Sequence, residues 1–289
     1  MSVLIQNNYI ILYYYNSDDN VCLNYVSIKQ VIIFRFNINM EKNLRKMYLH
    51  LLKKSLLDTL HGTQINIHVG PTITVTDYDI SEGTYWPQRA YTMIGEKRLD
   101  NIKYCMKKCI EDNIQGDFIE AGVWRGGSTI YMKGILSSYG ITDRKVYVAD
   151  SFEGLPPPDP NKYPIDKGSQ FHLIDFLRVS QETVMNNFKT YDLFDENIIF
   201  IKGFFETSLK NVNIDKLAIL RLDGDLYSST IQVLEQLYDK VSIGGFIIVD
   251  DSALIGAHTA VNDFRIKNNI VDPIIPIGEV HGTYWRKTK

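Results

Sequence analysis

Cysteine is scarce in this 289-residue chain: only Cys22, Cys105 and Cys109 are present, and no two of them have Cys-x-x-Cys spacing. An odd count without such pairs argues against a disulfide framework and against a structural zinc site. Cys105 and Cys109 share one face of a predicted helix, Leu99 to Ile110, so we expect them to be small buried hydrophobic side chains. A reducing compartment, the cytoplasm, is the expected location.

Long apolar runs and a strong charge of either sign are also missing. The net charge of -3 and the pI near 6.1 give no bulk attraction to nucleic acid or to an anionic membrane. The apolar runs at 9–15 and 31–36 are far shorter than the roughly 20 residues of a membrane span. Asn7 and Asn8 stand where a secretory signal would have a basic start. We therefore expect neither a membrane nor a nucleic-acid partner, and no export.

The chain has no internal repeat and no low-complexity tract, and its composition, 45% hydrophobic and 22% charged, is that of a globular protein. Residues 1–39 mix Tyr-rich runs with Asn and Asp, whereas Met40 opens a segment with helical periodicity. We predict a poorly packed N-terminal extension at 1–39, a helical lid and N-terminal segment at 40–115, and the main domain at 116–289. Met40 is a plausible natural start, in which case residues 1–39 are upstream sequence read in frame.

Apolar strands alternate with amphipathic helices from residue 117 onward, which is typical of a doubly wound α/β domain with a mostly parallel sheet. The predicted strands are Asp117 to Ala121, Lys145 to Ala149, Asn197 to Lys202, Leu217 to Leu222 and Phe246 to Val249, followed by a C-terminal apolar pair at 273–277 and 284–286. The predicted helices lie near Ser128 to Tyr139, Ser180 to Thr190, Ser229 to Tyr238 and Ala257 to Ile266. Ligands of such sheets bind beyond the carboxyl ends of the strands, so the site should follow these ends.

A glycine-rich turn, Glu120-Ala-Gly-Val-Trp-Arg-Gly-Gly-Ser128, follows the first of these strands. A strand, a glycine turn and a helix form a common cradle for a nucleotide-type cofactor. Glu120 would repel a pyrophosphate but would suit a ligand with a positive amine or sulfonium. The alternative is a tight turn that needs glycine for packing alone.

The next two strand ends also suit an adenosine. Asp150 could accept hydrogen bonds from both ribose hydroxyls. Gly203 allows a close approach, and Phe204 or Phe205 offers a face for an adenine ring, although such aromatics more often belong to the core.

Two carboxylate pairs, Asp223 with Asp225 and Asp250 with Asp251, end the last two parallel strands. Four acids at one edge repel one another unless a cation or shared protons intervene, and Mg²⁺ prefers such oxygen ligands. The alternative is that some of them cap the next helix, as Asp225 could do ahead of Ser228 and Ser229. Upstream, the aromatic stretch Tyr85 to Asn101 is broken by Gly and Pro, which favours a lid packed over the site.

Several ordered motifs resemble the macrocin O-methyltransferase family from about Met40 to Lys287: WPQRAYTMIGEKRLDN, FIEAGVWRGGS, ADSFEGLP, KGFFETSL, LRLDGDLYSST, GGFIIVDDSA and GTYWRK. The resemblance implies a class I methyltransferase, Rossmann-like fold of seven strands with an antiparallel C-terminal hairpin and an N-terminal helical extension. It implies S-adenosylmethionine as methyl donor, Mg²⁺ as metal, a sugar-bearing small-molecule acceptor and a homodimer or higher homo-oligomer.

Residue by residue, the resemblance implies three sets of site residues. The cofactor set is Thr92, Met93, Ile94, Glu120, Gly122, Ser128, Asp150, Ser151, Gly203, Phe204 and Asp223. The metal set is Asp223, Asp250 and Asp251. For the catalytic set we predict Asp223 or Asp225 as the base, although Asp225 could instead orient the ligands or be an additional ligand. His258 is the alternative base, and His281 is a similar candidate. Ser252 stands where the family suggests an aromatic residue.

Other functions remain open at this point. Asp223-Gly-Asp225 is also the Asp-x-Asp triplet of a metal-dependent glycosyltransferase. A non-catalytic subunit that keeps the fold is a second alternative, and the acidic charge balance disfavours an RNA or DNA methyltransferase. The acceptor could be a glycosylated metabolite, a nucleotide sugar or a polysaccharide unit.

Overall fold

The computed structural model describes residues 39–60 and 74–289 in full, and the backbone of 2–6, 9–15, 21–38, 65–66 and 73. The chain divides into two units, Met1–His50 and Leu51–Lys289. In the first, β1 (Ser2–Gln6), β2 (Tyr9–Tyr15) and β3 (Val21–Ser27) form an antiparallel sheet, and α1 (Ile28–Leu56) begins in this unit. The predicted poor packing of 1–39 concerns side chains that lie, except for Asn39, outside the described residues.

The second unit carries an α/β domain. Before the domain's main sheet come β4 (Ile65–Asn66), β5 (Ile73–Thr74), α2 (Asp77–Glu82) and α3 (Gly95–Glu111). The sheet and its helices are β6 (Asp117–Ala121), α4 (Gly127–Ser138), β7 (Val146–Asp150), α5 (Gln181–Thr190), β8 (Ile198–Lys202), α6 (Phe205–Ser208), β9 (Leu217–Leu222), α7 (Tyr227–Leu237), β10 (Val241–Val249), α8 (Ile255–Lys267), β11 (Ile275–Pro276) and β12 (Thr283–Arg286). Short 3-10 turns lie at Pro164–Asp166, Phe171–Leu173, Asp175–Leu177 and Tyr238–Lys240.

The main sheet has seven strands in the order β11-β12-β10-β9-β6-β7-β8. Strands β8, β7, β6, β9 and β10 are parallel, whereas β12 runs antiparallel to both β10 and β11. This architecture confirms the predicted fold, including the antiparallel C-terminal hairpin.

The register of the three central strands determines which residues meet at the sheet edge. Ala121 pairs with Leu222, and Leu222 pairs with Val249. The residues that follow, Gly122, Asp223 and Asp250, therefore leave the sheet at one level. All six residues of β9 are buried, so this strand is covered on both faces, as expected for the middle of a parallel sheet.

Two predicted boundaries were wrong. The helix predicted from Leu99 to Ile110 begins at Gly95, because Gly95, Arg98 and Leu99 are already buried on the same helical face as Ile102. Strand β10 begins at Val241 rather than Phe246, since its pairing with β9 continues across an irregularity between these two residues.

The buried state predicted for Cys105 and Cys109 is confirmed, because neither side chain has any exposed surface. Within the part of the chain that the structure describes, no helix combines the length and the apolarity that crossing a membrane requires.

Candidate active site

A cavity of about 770 Å³ lies at the carboxyl ends of β6, β7, β9 and β10. This volume is within the range of ligand pockets, roughly 300–1,000 Å³. Its wall includes the turn after β6, the start of the loop after β7 and the acids after β9 and β10. It is completed by residues 83–94, which we call the lid segment, and by parts of residues 154–177, which we call the long loop.

The turn after β6 is built on Gly122, whose φ is +92°. A Cβ atom at this position would lie 1.6 Å from the carbonyl oxygen of Asp223, so only glycine fits. Asp150 holds the turn in place, because its Oδ2 accepts from the Val123 amide and its Oδ1 from the Phe152 amide, both at 2.8 Å. Burial raises the pKa of Asp150. The carboxylate lines the cavity in a fixed orientation.

Glu120 does not line the cavity, contrary to its predicted contact with the cofactor. It is fully buried one layer behind the wall, where its Oε2 accepts from the Ser128 hydroxyl at 2.6 Å and its Oε1 pairs with Arg221. Ser128 forms the wall in front of it. Burial raises the pKa of Glu120 to about 7.

The predicted acids converge. Asp223, Asp250 and Asp251 each place one carboxylate oxygen within 4.8 Å of the other two. Asp225 also lines the cavity, in a left-handed backbone conformation (φ +59°), and its amide donates to Asp251 Oδ2 at 2.9 Å. Burial and the neighbouring negative charges raise the pKa of Asp223 to about 6, that of Asp225 to about 7 and that of Asp251 well above its ordinary value.

These three acids fit a hard divalent cation. Oxygen donors at such mutual distances can share one ion, and a hard divalent cation prefers carboxylate oxygens. A cation at this position would offset the repulsion among the three carboxylates.

Two arginines that hold the acids were not predicted from the sequence. Arg221, fully buried on β9, contacts Glu120, Asp223 (2.8 Å) and Asp250. Arg98, on α3, contacts the other oxygen of Asp250. One signal was present: an arginine inside an apolar strand, Leu-Ala-Ile-Leu-Arg-Leu, must be paired when the strand is buried. Arg98 has no comparable signal.

The capping alternative for Asp225 was wrong. The N-terminus of α7 is capped by Asp166, a buried residue of the long loop, whose carboxylate accepts from the amides of Tyr227 (2.8 Å) and Ser228 (2.9 Å). Asp225 is therefore not needed as a helix cap.

The remaining predicted residues divide into two groups. Those that line the cavity are Thr92, Met93, Ile94, Gly122, Ser128, Asp150, Ser151, Phe204, Asp223, Asp225, Asp250, Asp251 and His281. Gly203 and His258 do not. The Gly203 amide donates to the carbonyl of Asp150 at 2.9 Å, beside the wall, and His258 is exposed on α8. The geometry gives no support to His258 as a base.

An aromatic cluster closes the outer wall. Trp86 of the lid segment stacks on Phe176 of the long loop, with ring centroids 5.3 Å apart and an interplanar angle of 11°. Trp124, from the glycine turn, contacts the same ring at 5.2 Å and donates its indole N–H to the Phe176 carbonyl at 2.9 Å. Phe176 thus joins three segments that surround the cavity.

The comparison with known families agrees with this geometry. The sequence profile of the macrocin O-methyltransferase (TylF) family matches residues 24–287. The chain belongs to this family. The match begins before Met40, the residue from which the sequence motifs resemble this family. The protein is therefore an O-methyltransferase, and S-adenosylmethionine is its methyl donor. The glycosyltransferase and non-catalytic alternatives are set aside.

Several proteins are similar to this TylF-family chain. It is 46% identical over 211 residues to demethyldecarbamoylnovobiocin O-methyltransferase of Streptomyces niveus, covering 72% of this chain and 80% of the relative. It is 40% identical over 251 residues to 8-demethyl-8-(2,3-dimethoxy-alpha-L-rhamnosyl)-tetracenomycin-C 4'-O-methyltransferase of Streptomyces olivaceus, covering 86% and 95%. Among solved structures, the O-methyltransferase NovP is 42% identical with a TM-score of 0.80, covering 85% of this chain and 100% of NovP.

Proposed function

We propose that this enzyme transfers the methyl group of S-adenosylmethionine to a hydroxyl of a sugar carried by an uncharged glycosylated small molecule. We further propose that Asp223, Asp250 and Asp251 hold a divalent cation, Mg²⁺, that binds the acceptor diol. The observation that carries the proposal is the convergence of these three acids on the cavity that Asp150 and Ser128 also line.

The charge of the wall favours an uncharged acceptor over a nucleotide sugar. Among the described residues of the lining, the lysine and arginine side chains are Lys162 and Arg98. Lys162 is paired with Glu206, and Arg98 with Asp250. A diphosphate would find no uncommitted lysine or arginine there. The relatives named above act, by their names, on novobiocin and tetracenomycin derivatives.

The residues divide the work as follows. Asp150 binds the ribose hydroxyls with a carboxylate that the turn amides have already oriented. A divalent cation, when bound, lowers the pKa of a coordinated hydroxyl and directs it. Asp225 lines the same cavity and lies outside the proposed ligand set, so it is the base that takes the acceptor proton. Holding donor and acceptor in line can contribute roughly 7–11 kcal/mol to lowering the barrier.

An assay with radiolabelled methyl donor tests this proposal. Uncharged glycosides, nucleotide sugars and polysaccharide fragments are screened with Mg²⁺ and with EDTA. We expect methyl transfer to an uncharged glycoside, loss of turnover in EDTA and recovery on adding Mg²⁺. Full activity in EDTA would refute the proposed role of the cation. Transfer only to nucleotide sugars would refute the proposal that the acceptor is uncharged.

Asp150→Ala is expected to weaken binding of S-adenosylhomocysteine about 10- to 100-fold, because hydrogen bonds from two hydroxyls to a carboxylate are lost. Calorimetric titration gives the Kd. Asp159→Ala is the matched control, since Asp159 also lines the cavity but is exposed on the long loop. An unchanged Kd in Asp150→Ala would remove Asp150 from the cofactor site.

Asp225→Asn is expected to lower kcat about 10²- to 10⁴-fold, the usual contribution of a general base. Mg²⁺ and cofactor affinities should stay near wild type, because Asp225 contributes no ligand in the proposed site. The profile of kcat against pH should lose the rise that accompanies ionisation of the base. A variant that retains wild-type kcat and the same pH profile would show that another group takes the proton.

A further inference from the structure

Arg98 is the residue through which the lid segment contacts the acid cluster. Its guanidinium donates through Nε to the Ile94 carbonyl at 2.6 Å and through Nη2 to the carbonyls of Gly83 at 3.1 Å and Glu82 at 3.3 Å. Its Nη1 donates to Asp250 Oδ2. One buried side chain thus binds both ends of the lid segment and one proposed metal ligand.

The surroundings leave little freedom for this side chain. A Cβ atom on Gly83 would lie 2.4 Å from Arg98 Nη2, and one on Gly282 would lie 3.2 Å from Arg98 Cδ. The lid segment and the C-terminal hairpin therefore pack closely on the Arg98 side chain from two sides. A planar fork with five N–H donors can satisfy these four acceptors at once, whereas a lysine ammonium has three donors on a different geometry.

The two ends of this tether belong to different binding events. Thr92, Met93 and Ile94 line the cavity on the lid side, and Asp250 lines it on the acid side. Asp250 has its Oδ1 on Arg221 and its Oδ2 on Arg98, so any ion that binds Asp250 binds a carboxylate whose position Arg98 shares with the lid. Two ligands that fix one common element bind interdependently.

We propose that Arg98 is a positioning residue that couples the lid segment to Asp250, so that binding of the adenosyl cofactor and binding of the divalent cation strengthen each other. The inference rests on the proposed function. It assigns to Arg98 no contact with the reacting atoms. Its effect is on the coupling between two affinities, which by linkage must be equal in both directions.

Calorimetry on the full chain tests the coupling. S-adenosylhomocysteine is titrated in EDTA and at saturating Mg²⁺, and Mg²⁺ is titrated with and without S-adenosylhomocysteine. We expect wild type to show about a 5- to 100-fold gain in affinity, equal in both directions. In Arg98→Lys the gain should fall below about twofold. The control is Arg286→Lys, at a partly exposed arginine on β12 that pairs with Asp112 and does not line the cavity, and it should keep the wild-type gain.

Hydrogen exchange provides a readout that needs no cation. In EDTA, amides of residues 83–94 should exchange at least about tenfold faster in Arg98→Lys than in wild type, since the tether is present without an ion.

The outcomes distinguish the inference from the proposed function. If wild type binds both ligands but shows no coupling between their affinities, the inference is overturned and the proposed function stays intact. If wild type binds no Mg²⁺, the proposed role of the cation is overturned, and the coupling is overturned with it. An Arg98→Lys protein with wild-type coupling and exchange also overturns the inference. The wild-type titrations can overturn the inference even if Arg98→Lys does not fold.

Discussion

Asp251→Asn is expected to lower kcat/KM about 10²- to 10³-fold while the Kd for S-adenosylhomocysteine stays within about twofold of wild type. The asparagine keeps an oxygen that can accept from the Asp225 amide, but the cluster loses one negative charge. Because of this lost charge, the Mg²⁺ concentration that gives half-maximal activity should rise about 10- to 100-fold. Initial rates measured across a Mg²⁺ series, with calorimetry for the cofactor, give all three quantities.

The structure favours Asp251 over Asp250 as the position for this test. Asp250 is buried between Arg98 and Arg221, so its replacement strips two buried cations of a partner and threatens folding. Asp251 is only partly buried. Asp263→Asn, an exposed acid on α8, is the matched control and should behave as wild type. If Asp251→Asn kept wild-type activity at limiting Mg²⁺, Asp251 would not be a ligand.

Much of the sheet and its acidic edge could be predicted from sequence, because the signals are local. Strands β6 and β9 were predicted with their observed bounds, and an acid directly after a parallel strand must lie at the carboxyl edge. The glycine at position 122 was predicted from the turn pattern, although the contact that requires it, the carbonyl of Asp223, comes from a distant strand. Such features depend on strand pattern and register alone.

The contacts that balance the acids could not be predicted, because they join distant parts of the chain. Arg98 and Asp250 are 152 residues apart, and Asp166 reaches the amide of Ser228 from 62 residues away. Neither pairing leaves a pattern in a single sequence. Glu120 shows the same limit: the turn predicted its position along the chain, but only packing against Ser128 and Arg221 shows that it lies behind the wall.

Arg221→Met is expected to lower the free energy of unfolding by about 3–5 kcal/mol at pH 8, the cost of removing one partner from a buried ionic cluster. Methionine has a similar length and fills the space, so the loss is electrostatic rather than a cavity. Glu120, fully buried, and Asp250 then lose their contact with this guanidinium. Urea denaturation followed by circular dichroism gives the free energy.

The pH dependence separates this cause from poor packing. In wild type, burial outweighs the attraction of Arg221 and raises the pKa of Glu120 to about 7. The contribution of Glu120 to stability therefore falls as pH rises from the pKa of this group in the unfolded chain toward 7. Removing Arg221 raises that pKa further. The deficit of Arg221→Met relative to wild type should therefore grow as pH passes upward through about 7, and it should be smaller at pH 5.5 than at pH 8. Arg144→Met is the control, because Arg144 donates to the Ile114 carbonyl and packs over Phe118, so its smaller deficit should not change with pH. A deficit for Arg221→Met that is equal at both pH values would mean that packing, not charge, accounts for the loss.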